Sequence, residues 1–108
     1  MKRGEVWWVE FDPSVGSEIR KTRPAVIVSN NAANRNLSRV VVVPLTSNTS
    51  RQYPGEAIVM IAGKRGKAMA DQIMAADKAR LQSQLGVSSK GDMKAVEDAI
   101  LTHLGMPK

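Results

Sequence analysis

The stretch RVVVVPLTS, Arg39 to Ser47, decides how this chain folds. Four consecutive valines carry stiff, β-branched side chains that fit a pleated, packed surface better than a helix. The run therefore predicts a strand. Pro44 brings no amide to a ladder, which places a bulge or an edge position near the strand's end. Thr46 then lies where the strand emerges from the core.

Working outward, RPAVIVSN (Arg23 to Asn30) is a second apolar run, short enough for a strand buried on both faces, with Arg23 at its mouth. Ahead of it GEVWWVEF (Gly4 to Phe11) is rich in β-branched and aromatic residues and predicts another strand, stopped by Asp12-Pro13. The loop between these two strands crowds Glu18, Arg20 and Lys21 just before Arg23, and loops carried on rigid elements are where function concentrates. Trp7 and Trp8 point to opposite faces, so at most one is core; the other is available to stack on a base or to cover a dimer interface.

NNAANRNLS (Asn30 to Ser38) is turn-forming, with room for one or two helical turns. After the valine run, NTSRQYPGE is a loop and AIVMI (Ala57 to Ile61) a strand. AGKRGK reads as a basic, glycine-flanked hairpin turn and AMADQIM (Ala68 to Met74) as the returning strand. The period changes in SSKGDMKAVEDAILTHL (Ser88 to Leu104). Ser89 is the expected N-cap, Asp92 stands at capping-box spacing, and Met93, Val96, Ile100 and Leu104 define one buried helical face. The sum is a single domain over residues 1–108, mostly β with helices, a small barrel closed by a C-terminal helix.

Composition limits the chemistry. With no cysteine there are no disulfides, thiolate metal sites or Cys nucleophiles, which suits a reducing cytoplasm. The opening MKRGEVWWVEF lacks the apolar core of a signal peptide, and no stretch approaches the roughly 20 apolar residues that span a bilayer, so a cytoplasmic protein with no membrane partner is expected. The net charge of +6 favours an anionic partner, of which nucleic acid is the commonest for a small basic domain, although basic charge also serves plain solubility.

Candidate chemistry is sparse. The acids are scattered rather than spaced as metal ligands, so no metal and no cofactor are expected. The one histidine, His103, falls in the last turn of the predicted helix, where a dipole partner or surface role is commoner than catalysis. GKRGK lacks the Walker spacing, which argues against nucleotide hydrolysis. Arg23 and Thr46 remain. Cleaving RNA needs little machinery, because the attacking 2′-hydroxyl is already in the substrate; the protein must position the phosphate and stabilise its developing charge. An arginine fork and a stiff threonine hydroxyl suit that task, yet each has an ordinary structural role too, as an ion-pair partner for Glu18 or Asp12 and as a β-former.

RGEVWWVEFDPSVGSE, TRPAVIVSN, VVVVPLTS, YPGE and ADQI occur here in that order, and the whole resembles the MazF/PemK (Kid) family of toxins. The resemblance implies an SH3-like barrel of the MazF/CcdB kind, a homodimer, and a metal-independent, sequence-specific endoribonuclease that cuts single-stranded RNA to a 2′,3′-cyclic phosphate and a 5′-hydroxyl. It implies an antitoxin partner with a flexible, acidic tail. By position it assigns catalysis to Arg23 and Thr46, with Ser17, Glu18, Arg20, Lys21, Asp71 and Gln72 as supporting or RNA-binding residues. Kid-like members carry His at the position of Ser17, Arg at that of Met69, and many relatives a basic residue at that of Met74. These departures favour a mechanism built on Arg23 and Thr46.

Asp71 and Gln72 can equally well hydrogen-bond a loop, and GKRGK can be a solvated turn rather than a phosphate track. Two rivals differ in class. One is a toxin of the same fold that inhibits DNA gyrase, as in the related CcdB proteins; the other is a nucleic-acid-binding barrel without activity.

Overall fold

The valine run forms an eight-residue strand, Arg39–Thr46, and the other strands are arranged around it. The computed structural model describes all 108 residues, Met1 to Lys108. In chain order it contains β1 (Glu5–Glu10), β2 (Thr22–Ile27), a short helix α1 (Asn31–Asn36), β3 (Arg39–Thr46), β4 (Glu56–Ile61), β5 (Lys64–Met69), β6 (Met74–Asp77), β7 (Leu81–Val87) and the helix α2 (Lys90–Leu104). The strands make one curled antiparallel sheet, a half-barrel in the order β4-β5-β3-β2-β1-β7, with β6 also on β3.

Pro44 sits at a handover. One edge of β3 pairs with β2 through Val42, Val43 and Pro44. On the other edge Arg39 to Val42 pair with β6, and Leu45 and Thr46 pair with β5. Val43 and Pro44 fall between those two partners, where the edge has no ladder to break and a residue without an amide is tolerated. Of the two expectations, a bulge or an edge position, the second fits: Pro44 lies on a short unpaired edge where β3 changes partner.

Both faces of the central strands are buried, as the unbroken apolar runs require. Val26, Val43 and Leu45 face a core that α2 covers with Met93, Val96 and Ala99. Ala25, Ile27, Val40 and Val42 alternate to a second core with Val9, Phe11 and Leu81. Trp7 packs on that second core, while Trp8 is exposed.

Three expectations are corrected. The AGKRGK turn is only Ala62-Gly63, both in the left-handed region, at φ 49° and 82°; Lys64, Arg65 and Lys67 stand in β5 itself. The returning strand ends at Met69, and Ala70–Gln72 turns as one 3-10 element before β6 begins at Met74. Leu104 is 54% exposed, because the last turn of α2 runs beyond the core that Met93, Val96 and Ala99 fill. β7 carried no sequence signal. LQSQLGV is an edge strand, mostly exposed along its length, so it lacks the apolar alternation that marks half-buried strands.

The capping box closes only halfway. Ser89 Oγ accepts from the Asp92 amide at 3.1 Å. The Asp92 carboxylate does not return to Ser89; its Oδ2 accepts from the Met60 amide on β4 at 2.9 Å. One side chain thereby caps a helix and ties it to a strand. Asp92→Ala should lower the free energy of unfolding by about 1–3 kcal/mol, measured by urea denaturation, since it leaves a strand amide without a charged acceptor.

Glu5 gives a pH-dependent contact. Burial pushes its carboxyl up, but the Trp7 indole N–H, donated at 2.9 Å, the Lys2 amide and the neighbouring positive charges together hold it below the ordinary value of 4.5. A carboxylate depressed in the fold adds stability that is present above pH 4.5 and is lost as pH falls through the lowered value. In a Trp8→Phe variant, which leaves Trp7 as the only indole, the fluorescence of the folded protein should change only below pH 4.5.

Candidate active site

Arg23 at the start of β2 and Thr46 at the end of β3 meet in one groove. The β2–β3 ladder ends at Ala25 and Pro44; Arg23 lies two residues before that pair and Thr46 two after it, and both side chains line the same groove. On its other side β2 meets β1, where Trp8 pairs with Pro24 and Val9 with Arg23. A groove of about 420 Å3 opens here, lined by Trp8, Lys21, Arg23, Thr46, Ser47, Ile61, Lys64 and Arg65 among others. No acidic residue lines it, so its field is positive.

The two central side chains are free to act. Arg23 makes no ion pair with Glu18 or Asp12; its Nε makes one long contact to the Arg20 carbonyl, at 3.4 Å, and its two terminal nitrogens have no protein partner. The Thr46 oxygen accepts from the Asn48 amide at 3.2 Å, which leaves the hydroxyl proton to be donated elsewhere. Lys21 adopts φ 64° where the loop enters β2, a conformation costly for a side chain with a Cβ, and its carbonyl is held by the Phe11 amide at 2.8 Å. Together these groups can bind a phosphodiester: a planar fork for two oxygens, a hydroxyl donor and a rim of cations.

The remaining candidates lie elsewhere. Ser17, Glu18, Asp71 and Gln72 line a second pocket, of about 390 Å3, with Arg80. Glu18 folds onto its own loop, accepting from the Val15 amide at 2.7 Å. Arg20 does the same through Nη2, which donates to the Gly16 carbonyl at 2.8 Å. Gln72 Oε1 accepts from the Ile19 amide at 3.3 Å and so supports the loop. Asp71 is exposed and borders a third pocket with Tyr53 and His103. The structure thus gathers Lys21, Arg23 and Thr46, with the Arg20 backbone beside Arg23, and sets Ser17, Glu18, Asp71 and Gln72 apart. Nowhere do three or more His, Cys, Asp or Glu side chains converge as metal ligands, and no helix is long and apolar enough to cross a membrane.

The profile of the PemK-like, MazF-like toxins of type II toxin–antitoxin systems matches residues 2–104. The chain belongs to this family. It is 37% identical to endoribonuclease MazF9 of Mycobacterium tuberculosis, over 98% of both chains, and 32% identical to the endoribonuclease toxin MazF of Escherichia coli, over 94% of this chain and 92% of that one. The fold agrees. A mycobacterial endoribonuclease solved in complex with its cognate antitoxin superposes with a TM-score of 0.83 at 31% identity, covering 100% of this chain and 98% of the other. MazF from Deinococcus radiodurans gives 0.87 at 28% identity, covering 98% and 97%. Of the two methionines that depart from the Kid-like pattern, Met69 ends β5 opposite Glu56 and Met74 opens β6 opposite Val42.

Sequence reasoning missed the part of this MazF-like groove contributed by β5. Lys64 and Arg65 were assigned to a turn, and Gly66 carried no evident role. A Cβ at Gly66 would overlap the Ile61 side chain and stand 2.9 Å from the Thr46 carbonyl oxygen. The glycine lets β5 press against the end of β3 while Ile61 lies across it. An isolated Gly inside a basic strand pattern is the signal that was available. Gly66→Ala should force Thr46 or Ile61 to move, lowering stability by about 1–3 kcal/mol in thermal denaturation and reducing the affinity of the groove for single-stranded RNA in a filter-binding assay.

Proposed function

We propose that this protein is an endoribonuclease that cuts single-stranded RNA at short sequence motifs without a metal ion, and that it is the toxin of a type II toxin–antitoxin pair acting in the cytoplasm. The observation that carries the proposal is the unpartnered Arg23 fork in one groove with the Thr46 hydroxyl, lined also by Lys21, Lys64 and Arg65. The names of the MazF relatives support it from an independent direction.

In the proposed reaction the substrate's own 2′-hydroxyl oxygen attacks the adjacent phosphorus, and the bond from phosphorus to the 5′-oxygen breaks. The 2′-hydroxyl proton passes to solvent water and the departing 5′-oxygen takes one from solvent, so the products are a 2′,3′-cyclic phosphate and a 5′-hydroxyl with no net water consumed. Negative charge builds on the non-bridging oxygens as phosphorus gains its fifth oxygen. The Arg23 fork is suited to meet that charge, and the Thr46 hydroxyl to donate to one of those oxygens. Exposed Trp8 offers a surface on which a neighbouring base stacks. Ser17, Glu18, Arg20, Asp71 and Gln72 serve here as supports of the neighbouring loop or as contacts further along the strand.

The proposed partner is an antitoxin whose flexible, acidic tail lies along the same cationic groove and folds on binding, excluding RNA by occupancy. A homodimer is proposed as well; the exposed Leu104 continues the apolar stripe of α2 and suits a protein interface.

Incubating the protein with a long single-stranded RNA in excess EDTA and sequencing the new ends tests the proposal. Discrete cuts at a recurring motif are expected. Arg23→Ala should remain folded and lose at least about 100-fold in cleavage rate, the usual cost of removing one preorganised donor to a developing charge. Intact RNA with measurable binding would instead favour the non-catalytic reading, and intact RNA with capture of DNA gyrase the gyrase-directed one.

A further inference from the structure

Behind the Thr46 groove stands a charged pair that the proposed reaction does not use. Lys67 lies in β5, directly opposite Thr46 on β3, and is only 7% exposed. A buried ammonium needs partners. Its Nζ donates to the Arg51 carbonyl at 2.8 Å and stands 3.2 Å from Glu56 Oε1, on a side chain as buried as its own. The same Glu56 oxygen accepts from the Tyr53 amide at 2.8 Å. The Glu56 amide donates to the Tyr53 carbonyl at 3.0 Å, and the Glu56 carbonyl accepts from Gln52 Nε2 at 3.2 Å.

The loop that follows Thr46 is therefore gripped at both ends. Asn48 holds its start through the Thr46 hydroxyl, and Lys67 with Glu56 holds Arg51, Gln52 and Tyr53. Every residue from Ser47 to Pro54 is exposed, and most are polar. A buried ion pair is a poor way to gain stability, since two apolar side chains of similar volume serve as well or better. Apolar side chains cannot hold a loop carbonyl and a loop amide, which is what this pair does.

Ser47 lines the groove, and Tyr53, Pro54 and Gly55 line the adjoining pocket with Asp71 and His103; we infer that Lys67, acting through Glu56, is a positioning residue that fixes this Ser47–Gly55 loop so that it selects bases as the RNA strand leaves the groove. The inference rests on the ribonuclease reading. Single-stranded RNA is discriminated by hydrogen bonds and stacking to splayed bases, and a loop that must be ordered anew at each encounter loses part of that discrimination to the entropy of ordering. Lys67 itself does not meet the RNA, because its ammonium is enclosed by protein.

The test compares wild type, Lys67→Met and the double variant Lys67→Met/Glu56→Met on a pool of single-stranded RNAs that differ around one cut site. Wild-type protein that leaves the pool intact overturns the ribonuclease reading, and this inference with it. If wild type cuts, Lys67→Met should keep kcat on the preferred motif within about twofold, raise KM about tenfold and flatten the preference over single-base variants about tenfold, the scale of one lost polar contact. Amides of residues 49–53 should exchange hydrogen faster while those of β2 and β3 do not change. The double variant should recover the Tm of wild type but not its motif preference. Three results would overturn the inference: an unchanged motif profile in Lys67→Met, recovery of both Tm and preference in the double variant, or a salt dependence of binding weakened by about one charge, which would make Lys67 a direct phosphate contact.

Discussion

The structure depends on β3 having two partners on one edge. Its first half pairs with β6 and its last two residues with β5, while β2 runs along the opposite edge. A flat sheet cannot satisfy that arrangement, and the curl it imposes lets one helix cover one face while the other closes around a second core. The same handover fixes the groove. Leu45 and Thr46 lie past the point where β6 leaves, so the end of β3 comes to lie between the β1–β2 pair and the β4–β5 hairpin.

The electrostatics follow from what the surrounding loops do with their charges. Glu18 and Arg20 satisfy themselves within their own loop, and Glu56 is taken by Lys67. No carboxylate forms an ion pair with Arg23, and none lines its groove. Glu18 is committed to a backbone amide and Glu56 to a buried ammonium, and the Arg23 fork is left to meet an external anion.

Much of the fold was legible because its central strands announce themselves. Val40 to Val43 and Ala25 to Ile27 are apolar without interruption, as strands packed on both sides must be, and the helix changes period cleanly at Ser89. β7 was illegible because an edge strand facing solvent has no apolar pattern to display, and β5 was misjudged because a strand reading KRGKAM looks like a turn. Arg23 and Thr46 stood out by residue type and by motif, but that they line one groove depends on how β2 and β3 pair, which the sequence does not spell out. Glu18 seemed near Arg23 because it is near in sequence; a loop held by Gln72 carries it to another pocket. Lys67 was invisible, since nothing local distinguishes a buried lysine from an exposed one.

The bond from Asp92 to the Met60 amide has a consequence for how molecules of this protein meet one another. β4 ends the sheet, and a free strand edge offers a row of amides and carbonyls to any other chain that can pair with it. Asp92 occupies one of those amides with a fixed negative charge near the β4 end of the Ala62-Gly63 turn. An incoming strand would have to displace a carboxylate and detach the first turn of α2 before its ladder could run past Met60. The helix start thus blocks a foreign strand from pairing past Met60 on the β4 edge.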